Sequence, residues 1–405
     1  MNVSVSQDIR ADLENAKAQS IANLAERTAF VAAIAAEHAD RVDAEARFPA
    51  EAIDAAKRFG LLGVLVPEEF GGEGASIHDA MDMCFALGRA CSATAMIVAM
   101  HHVKVACIVR HGRGNAWMEA MMRRIRDEQL LMGSSTTEGR NGGNVRNSAA
   151  AAEVVDGRFT LDRDASVISY GAQCDGIVTT ARRATDAQSS DQVLLVVTKD
   201  NYTLTPTQGW ETLGMRGTCS MGFQLKAEGP AEQIMETPYD RIHTQSMVPF
   251  AHLCWGSAWT GIAAGAVDRA QKFLRKVARS SGGTMPPGAR HFGFAKTSLN
   301  RARALLATTA DHFARIEDDA QALSGLDFQS AISTMKIEAS DLAVETVMSC
   351  MRANGLSGYR SDGEFSVARH LRDVLSAPLM IHNDRIAESM STANLMGAVA
   401  PKLRP

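Results

Sequence analysis

The 405 residues carry 42 Lys and Arg against 46 Asp and Glu, a formal net charge of −4 and a pI near 6.3. That balance leaves no general basic face for nucleic acid, and 46% apolar with 22% charged residues excludes extensive disorder. Cysteines at 84, 91, 107, 174, 219, 254 and 350 form no C-x-x-C pair, and no His cluster has metal-ligand spacing. Scattered reduced thiols, no metal centre and a cytoplasmic location are therefore expected. Met1 to Ile21 lacks an apolar signal-like run, and no stretch approaches the roughly 20 apolar residues of a membrane span, so no membrane is expected.

In chain order, Ile21–Asp43 and Ala50–Phe59 repeat apolar residues at three- and four-residue steps, the period of a helix. Gly60 reads as a C-cap, Leu61–Pro67 as an apolar connector and Gly71–Gly74 as a turn. Ile77–Arg89, Ser92–Arg110 and Ala116–Arg126 complete an all-α domain over 1–130. Near Leu131 the composition changes. Short β-prone runs (Ala151–Val155, Arg158–Leu161, Gly176–Thr180, Val193–Val197, Gly222–Ala227) alternate with Gly, Asn and Asp turns. Without interleaved helices they predict an antiparallel barrel, or a sandwich, over 131–243. No G-x-G-x-x-G follows a strand. Helical period returns over 244–405, in Trp255–Ala278, Thr297–Leu323, Ala331–Ala353 and a last helix from near Phe365 past Asp373, with a flexible Ser280–Gly288 loop. The pattern is α+β multidomain: an N-terminal all-α domain, a central antiparallel β-barrel and a C-terminal four-helix bundle.

Four segments in that order resemble the acyl-CoA dehydrogenase superfamily across about residues 20–395. They are Phe48-Pro49 through Gly60–Gly63 to Val66–Gly74; Ser135-Thr136-Thr137-Glu138 with Gly142-Gly143-Asn144; Leu213-Gly214-Met215-Arg216-Gly217-Thr218; and Asn354-Gly355-Leu356-Ser357-Gly358-Tyr359 with Arg369-His370-Leu371-Arg372-Asp373. Each string alone is weak, and Thr136-Thr137 alone reads equally as a β-prone pair. Their shared order on one helix–strand–helix layout carries the resemblance.

The resemblance implies FAD between the β domain and the bundle, with FMN the alternative in a monooxygenase. It assigns the ring's polar edge to Thr136 and Thr137, close backbone approach to Gly142 and Gly143, and the strand that packs on the flavin to Val167-Ile168-Ser169, where Val167 replaces a stacking Trp. Gly355 and Gly358 would approach a neighbouring subunit's FAD. Arg290 and Phe292, with Arg279 as rival to Arg290, would reach across a homodimer or homotetramer interface.

An acyl thioester dehydrogenase of this superfamily needs a buried carboxylate to take the substrate's α-proton. Counting from Asp373, the position of that Glu is Ile381. The alternative positions on the bundle's first helix are Ala258 and Trp259, so neither place holds a carboxylate. Asp384 and His382 are the substitute candidates, although Asp384 also reads as a solvated partner of Arg385 or Arg372 and His382 as a capping residue. Arg372-Asp373, Ser376-Ala377 and Asn383-Asp384 also echo flavin monooxygenases of the same fold, which need no α-proton base; their usual His falls at Met380. His101-His102 read as core or interface histidines before ring-facing ones, and Trp255 and Trp259 as bundle packing before a substrate wall. Arg140 and Arg146 form no diagnostic pattern for a CoA or carrier-protein ligand. The leading expectation is an FAD-dependent dehydrogenase of an acyl thioester served by an electron-transfer partner. A monooxygenase or oxidase using O2 on a small-molecule substrate is the alternative, and a catalytically degenerate flavin-binding protein the third reading.

Overall fold

The computed structural model describes residues 23–139 and 145–396. Asn23 accepts from the amides of Ala25 and Glu26 and opens helix α1, Leu24–Ala44. Helices α2 (Ala50–Arg58), α3 (Ile77–Ala90), α4 (Ser92–His111) and α5 (Ala116–Glu128) follow. Ser76 and Asp79 close a reciprocal capping box at the start of α3. In α4 every residue from Ser92 to Ile108 is buried. By length and composition this helix is apolar enough to cross a membrane, which corrects the expectation that no stretch is. Its neighbours in the fold enclose it on all sides, as a helix apolar all round requires.

The central region departs from the expected barrel. The described strands form two open sheets. One orders β1 (Met132–Ser135), β4 (Gly176–Arg182) and β5 (Gln192–Thr198); the other orders β2 (Glu153–Val155), β3 (Arg158–Ile168), β7 (Met221–Pro230) and β6 (Tyr202–Gln208). β1 lies parallel to β4, with Met132 opposite Gly176 and Ser135 opposite Thr179. The remaining pairs are antiparallel. β1 can run parallel because it enters from the helical region and reaches β4 through the whole of β2 and β3, far more than a hairpin. β3 alternates exposed and buried residues, whereas β4 and β5 are buried almost throughout.

Beyond the strands, a short helix (Tyr239–Ile242) and a π-helical turn (His243–Met247) lead into α6, Val248–Ser280. Then come α7 (Ala289–Ile316) and α8 (Leu326–Asn354). The expected single last helix is two: α9 (Ala368–Val374) and α10 (Asn383–Met396), separated by turns. Pro378 sits in this break, where the chain must leave helical geometry. Among the described residues the C-terminal region is thus helical, as expected, with three long helices joined by shorter ones that include Ala320–Ser324 and Leu356–Tyr359. α6 packs tightly on α3: a Cβ on Gly88 would fall 2.4 Å from the Ala258 carbonyl oxygen, and one on Gly261 2.3 Å from that of Phe85. This crossing ties the two helical regions together around the β region. The seven cysteines are all free, and six of them are buried.

Candidate active site

A cavity of about 680 Å³ opens where α4, the β region, α6 and the segment after α9 converge. Its β wall carries Ser134, Thr136, Thr137, Ser166, Val167 and Ser169, and its helical wall Met96, Met100, Val103 and Lys104. Trp210 and the Leu213–Met215 turn close one side; Ser376 and the Leu379–His382 segment close the other. Among the described residues, no Asp or Glu lines this cavity, whereas Lys104, Arg372, Arg385 and three histidines do.

The third and fourth sequence segments meet at its rim. Buried Asp373 accepts the Met215 N–H at 2.7 Å, and a Cβ on Gly214 would lie 2.1 Å from the Arg372 carbonyl oxygen. Only glycine permits that approach. Arg372 bonds the Leu213 carbonyl at 3.0 Å and pairs with Asp43 of α1. Met215 is left-handed at φ 53°, as are Tyr170 and Cys219 nearby.

The β wall holds a directed hydroxyl chain. Thr218 donates to the Met215 carbonyl at 2.8 Å, which leaves Ser220 to donate to Thr218 and Ser169 to donate to Ser220, each at 2.8 Å. Ser169 therefore turns acceptor lone pairs toward the cavity. Behind this wall, Glu138 pairs with buried Arg163 at 2.9 Å and accepts the amides of Ala149 and Ala150. Burial lowers the Arg163 pKa to about 10.

The vacant carboxylate position has an unusual backbone. Ile381 and His382 are both left-handed, at φ 59° and 51°, a conformation that a β-branched residue rarely adopts. Both line the cavity. Lys336, fully buried on α8, anchors the segment by donating to the carbonyls of Ala377 (3.2 Å) and Met380 (2.7 Å) and to Asn383 Oδ1 (2.6 Å).

Of the residues named from the sequence, Thr136, Thr137, Ser169, Ile381 and His382 share this cavity. Ile168 is fully buried beneath the β wall. Asp384 is exposed and outside the lining, and Asn383 spends its amide on Lys336, Ser340 and Asp341. Gly142 and Gly143 lie outside the described residues. Arg290 and Phe292 sit in the first turn of α7, and Gly355 and Gly358 in the turn after α8, none of them at the cavity. Ala258 and Trp259 are core residues, and Trp255 alone of the tryptophan pair reaches the cavity. His101 is a satisfied core histidine: its Nδ1 accepts the Met132 N–H at 3.0 Å, so its Nε2–H donates to the Leu62 carbonyl at 2.8 Å.

Sequence reasoning missed Lys104, Trp210, His243 and His252. Trp210 donates its indole N–H to the Met215 carbonyl at 3.0 Å and puts an aromatic at the cavity near Val167. His243 and His252 are buried, and burial pushes each pKa down to about 3, so both are neutral near pH 7. The π-helical turn His243–Met247 places two of its residues in the lining, and such turns frequently mark functional positions. A cation inside the otherwise apolar run of α4 was the one signal available for Lys104.

Family models for the acyl-CoA dehydrogenase N-terminal and C-terminal domains match residues 19–116 and 253–384, together more than half of the chain. The chain belongs to the acyl-CoA dehydrogenase superfamily. It is 23% identical to the probable FMNH2-dependent monooxygenase SfnC of Pseudomonas putida, over 79% of this chain and 81% of that protein. It is 25% identical to the probable acyl-CoA dehydrogenase FadE25 of Mycobacterium tuberculosis, over 84% and 85%. The FMN-bound TdsC structure from a Paenibacillus strain superimposes with a TM-score of 0.80 at 18% identity, covering 94% of this chain and all of TdsC.

Flavin is the cofactor of this superfamily, and the residues present fit it. Ser169 offers acceptor lone pairs to a ring N–H, and Thr136 and Thr137 add hydroxyls on the same wall. The cavity's surplus of cations over carboxylates suits a ring that gains negative charge on reduction.

Proposed function

We propose that this chain is a flavin-dependent monooxygenase that oxygenates a small organic molecule in the cavity, using reduced FMN or FAD and O2. The absence of Asp and Glu from the described cavity lining carries this reading, because the α-proton chemistry of a dehydrogenase requires a base that a buried carboxylate ordinarily supplies. The similarity to SfnC and TdsC supports it. When bound, reduced flavin supplies the two electrons for splitting O2. The chain's own part is to orient ring and substrate and to move protons. Ser169 and its hydroxyl chain fix one ring edge. Neutral His243 and His252 offer hydrogen bonds without adding charge, and His382 links the cavity to solvent protons.

The similarity to FadE25 favours an acyl thioester dehydrogenase as second reading. There His382 is the base that the cavity offers, since Asp384 faces solvent. One experiment separates the two. The purified protein is loaded with flavin, and anaerobic bleaching by a panel of acyl-CoAs is compared with substrate-dependent product formation from enzymatically reduced FMN in air. Oxygenated product without bleaching is the expected result; bleaching by an acyl-CoA overturns the proposal.

Leu356 and Tyr359, 73% and 74% exposed after α8, stand out as apolar groups that a second copy would cover in the proposed homodimer or homotetramer. Elution as a monomer at micromolar concentration would refute that assembly.

A further inference from the structure

Lys104 is an anomaly that the chemistry above leaves unused. It is 4% exposed, sits on the helix buried on all sides, and lines the cavity beside Val103, His243 and Met247. Among the described residues its ammonium's hydrogen-bond partner is the Met247 thioether sulfur at 3.7 Å, and a sulfur at that range is a weak acceptor. Among the described residues no carboxylate pairs with it. His243 cannot compensate, because burial holds it neutral and the Arg146 and Lys104 charges disfavour its cation further. Tyr239, whose hydroxyl also turns to the Met247 sulfur at 3.5 Å, is held in its neutral form by burial.

An isolated buried ammonium is costly unless it is neutralised or paired. Burial does push the Lys104 pKa down, to about 8, which still leaves it largely protonated at neutral pH. Two other buried cations near this site show what folding alone provides: Arg163 has Glu138, and Lys336 has two carbonyls and an amide oxygen. Lys104 has the open cavity.

We propose that Lys104 is the substrate-recognition cation of this cavity and that the substrate is a small organic acid whose carboxylate pairs with it. The inference deepens the monooxygenase reading by naming the substrate class of the same site. The apolar neighbours Met96, Met100 and Val103 would hold the acid's hydrocarbon body, and the ion pair would set which end faces inward.

The test is a binding titration of the full-length, FMN-loaded protein with phenylacetate, hexanoate and benzoate, each against its neutral primary amide. Flavin difference spectra and the fluorescence of cavity-lining Trp210 and Trp255 report occupancy without turnover. At least one acid is expected to bind about tenfold or more tightly than its amide, as a charge-assisted bond implies. Lys104→Met should abolish that preference while leaving amide affinity within about twofold, and Lys104→Arg should keep part of it. Equal binding of acid and amide to the unmodified protein, no acid binding at millimolar concentration, or a preference that survives in Lys104→Met each overturns the proposal. Should Lys104→Met fail to fold, competition by chloride and acetate against the preferred acid decides: indifference to acetate overturns it. A carboxylate preference without oxygenated product from reduced FMN would instead sink the monooxygenase reading and leave the anion site standing.

Discussion

Behind the β wall, Arg163 is wholly buried and paired with Glu138 in a site closed to any ligand. Across the cavity on α4, Lys104 is also buried, and among the described residues its hydrogen-bond partner is a thioether. Both cations have lost their water, so the difference lies in what replaced it. The partner of the paired one, Glu138, also accepts the amides of Ala149 and Ala150. The lone one faces a space of ligand size. A buried charge with a protein partner serves the fold, and one without such a partner points to a molecule that arrives later.

The largest expected effect comes from breaking the buried ion pair. Glu138→Gln strands the Arg163 charge and should cost roughly 3–5 kcal/mol, read by chemical denaturation. A loss below about 1 kcal/mol would mean that the pair is dispensable.

Acid should act next, through the histidines. His101, His243 and His252 have folded pKa values lowered to about 4, 3 and 3, against 6.5 when unfolded. The unfolded chain therefore takes up protons first, and stability falls as pH drops below 6.5 toward 3. Denaturant melts at pH 7 and pH 5 should differ by roughly 1–2 kcal/mol for each of them; equal midpoints would contradict their burial as neutral rings.

Smaller effects are expected at the other two positions. Lys104→Met, which removes an unpaired charge in place of breaking a pair, should leave stability unchanged or raise it by about 1 kcal/mol. Ile381→Gly relieves a left-handed β-branched residue but adds freedom to the unfolded chain, so the melting temperature should move by only a few degrees. Its sharper readout is ligand affinity, expected to fall because the cavity wall loses a side chain.

Much of this molecule could be read from one sequence. Helical periodicity located the long helices, and two of the four motif segments, Leu213–Thr218 and the one ending in Asp373, meet in the structure, where the Met215 amide bonds the Asp373 carboxylate. What escaped depended on the third dimension. β1, only four residues long, and its parallel pairing with β4 were missed, as was exposed β6. Counting residues from Asp373 leads to Ile381, which lines the cavity, but the two left-handed residues there leave Asp384 exposed, which no linear offset reveals. Nothing local in the sequence marks Lys104 or His252 as a cavity residue, because it does not show which face of an apolar helix the cavity opens on.

The seam at Gly214 and Arg372, where two backbones run almost in touch, has a consequence for selectivity. The doorway beside it cannot be widened by bending either chain alone, since neither has room to retreat toward the other. Which molecules are admitted is thus left to the exposed side chains of Leu213, Leu379 and Val167 that fringe the opening. Exchanging those three for smaller or larger residues offers a way to retune the range of guests without disturbing the frame.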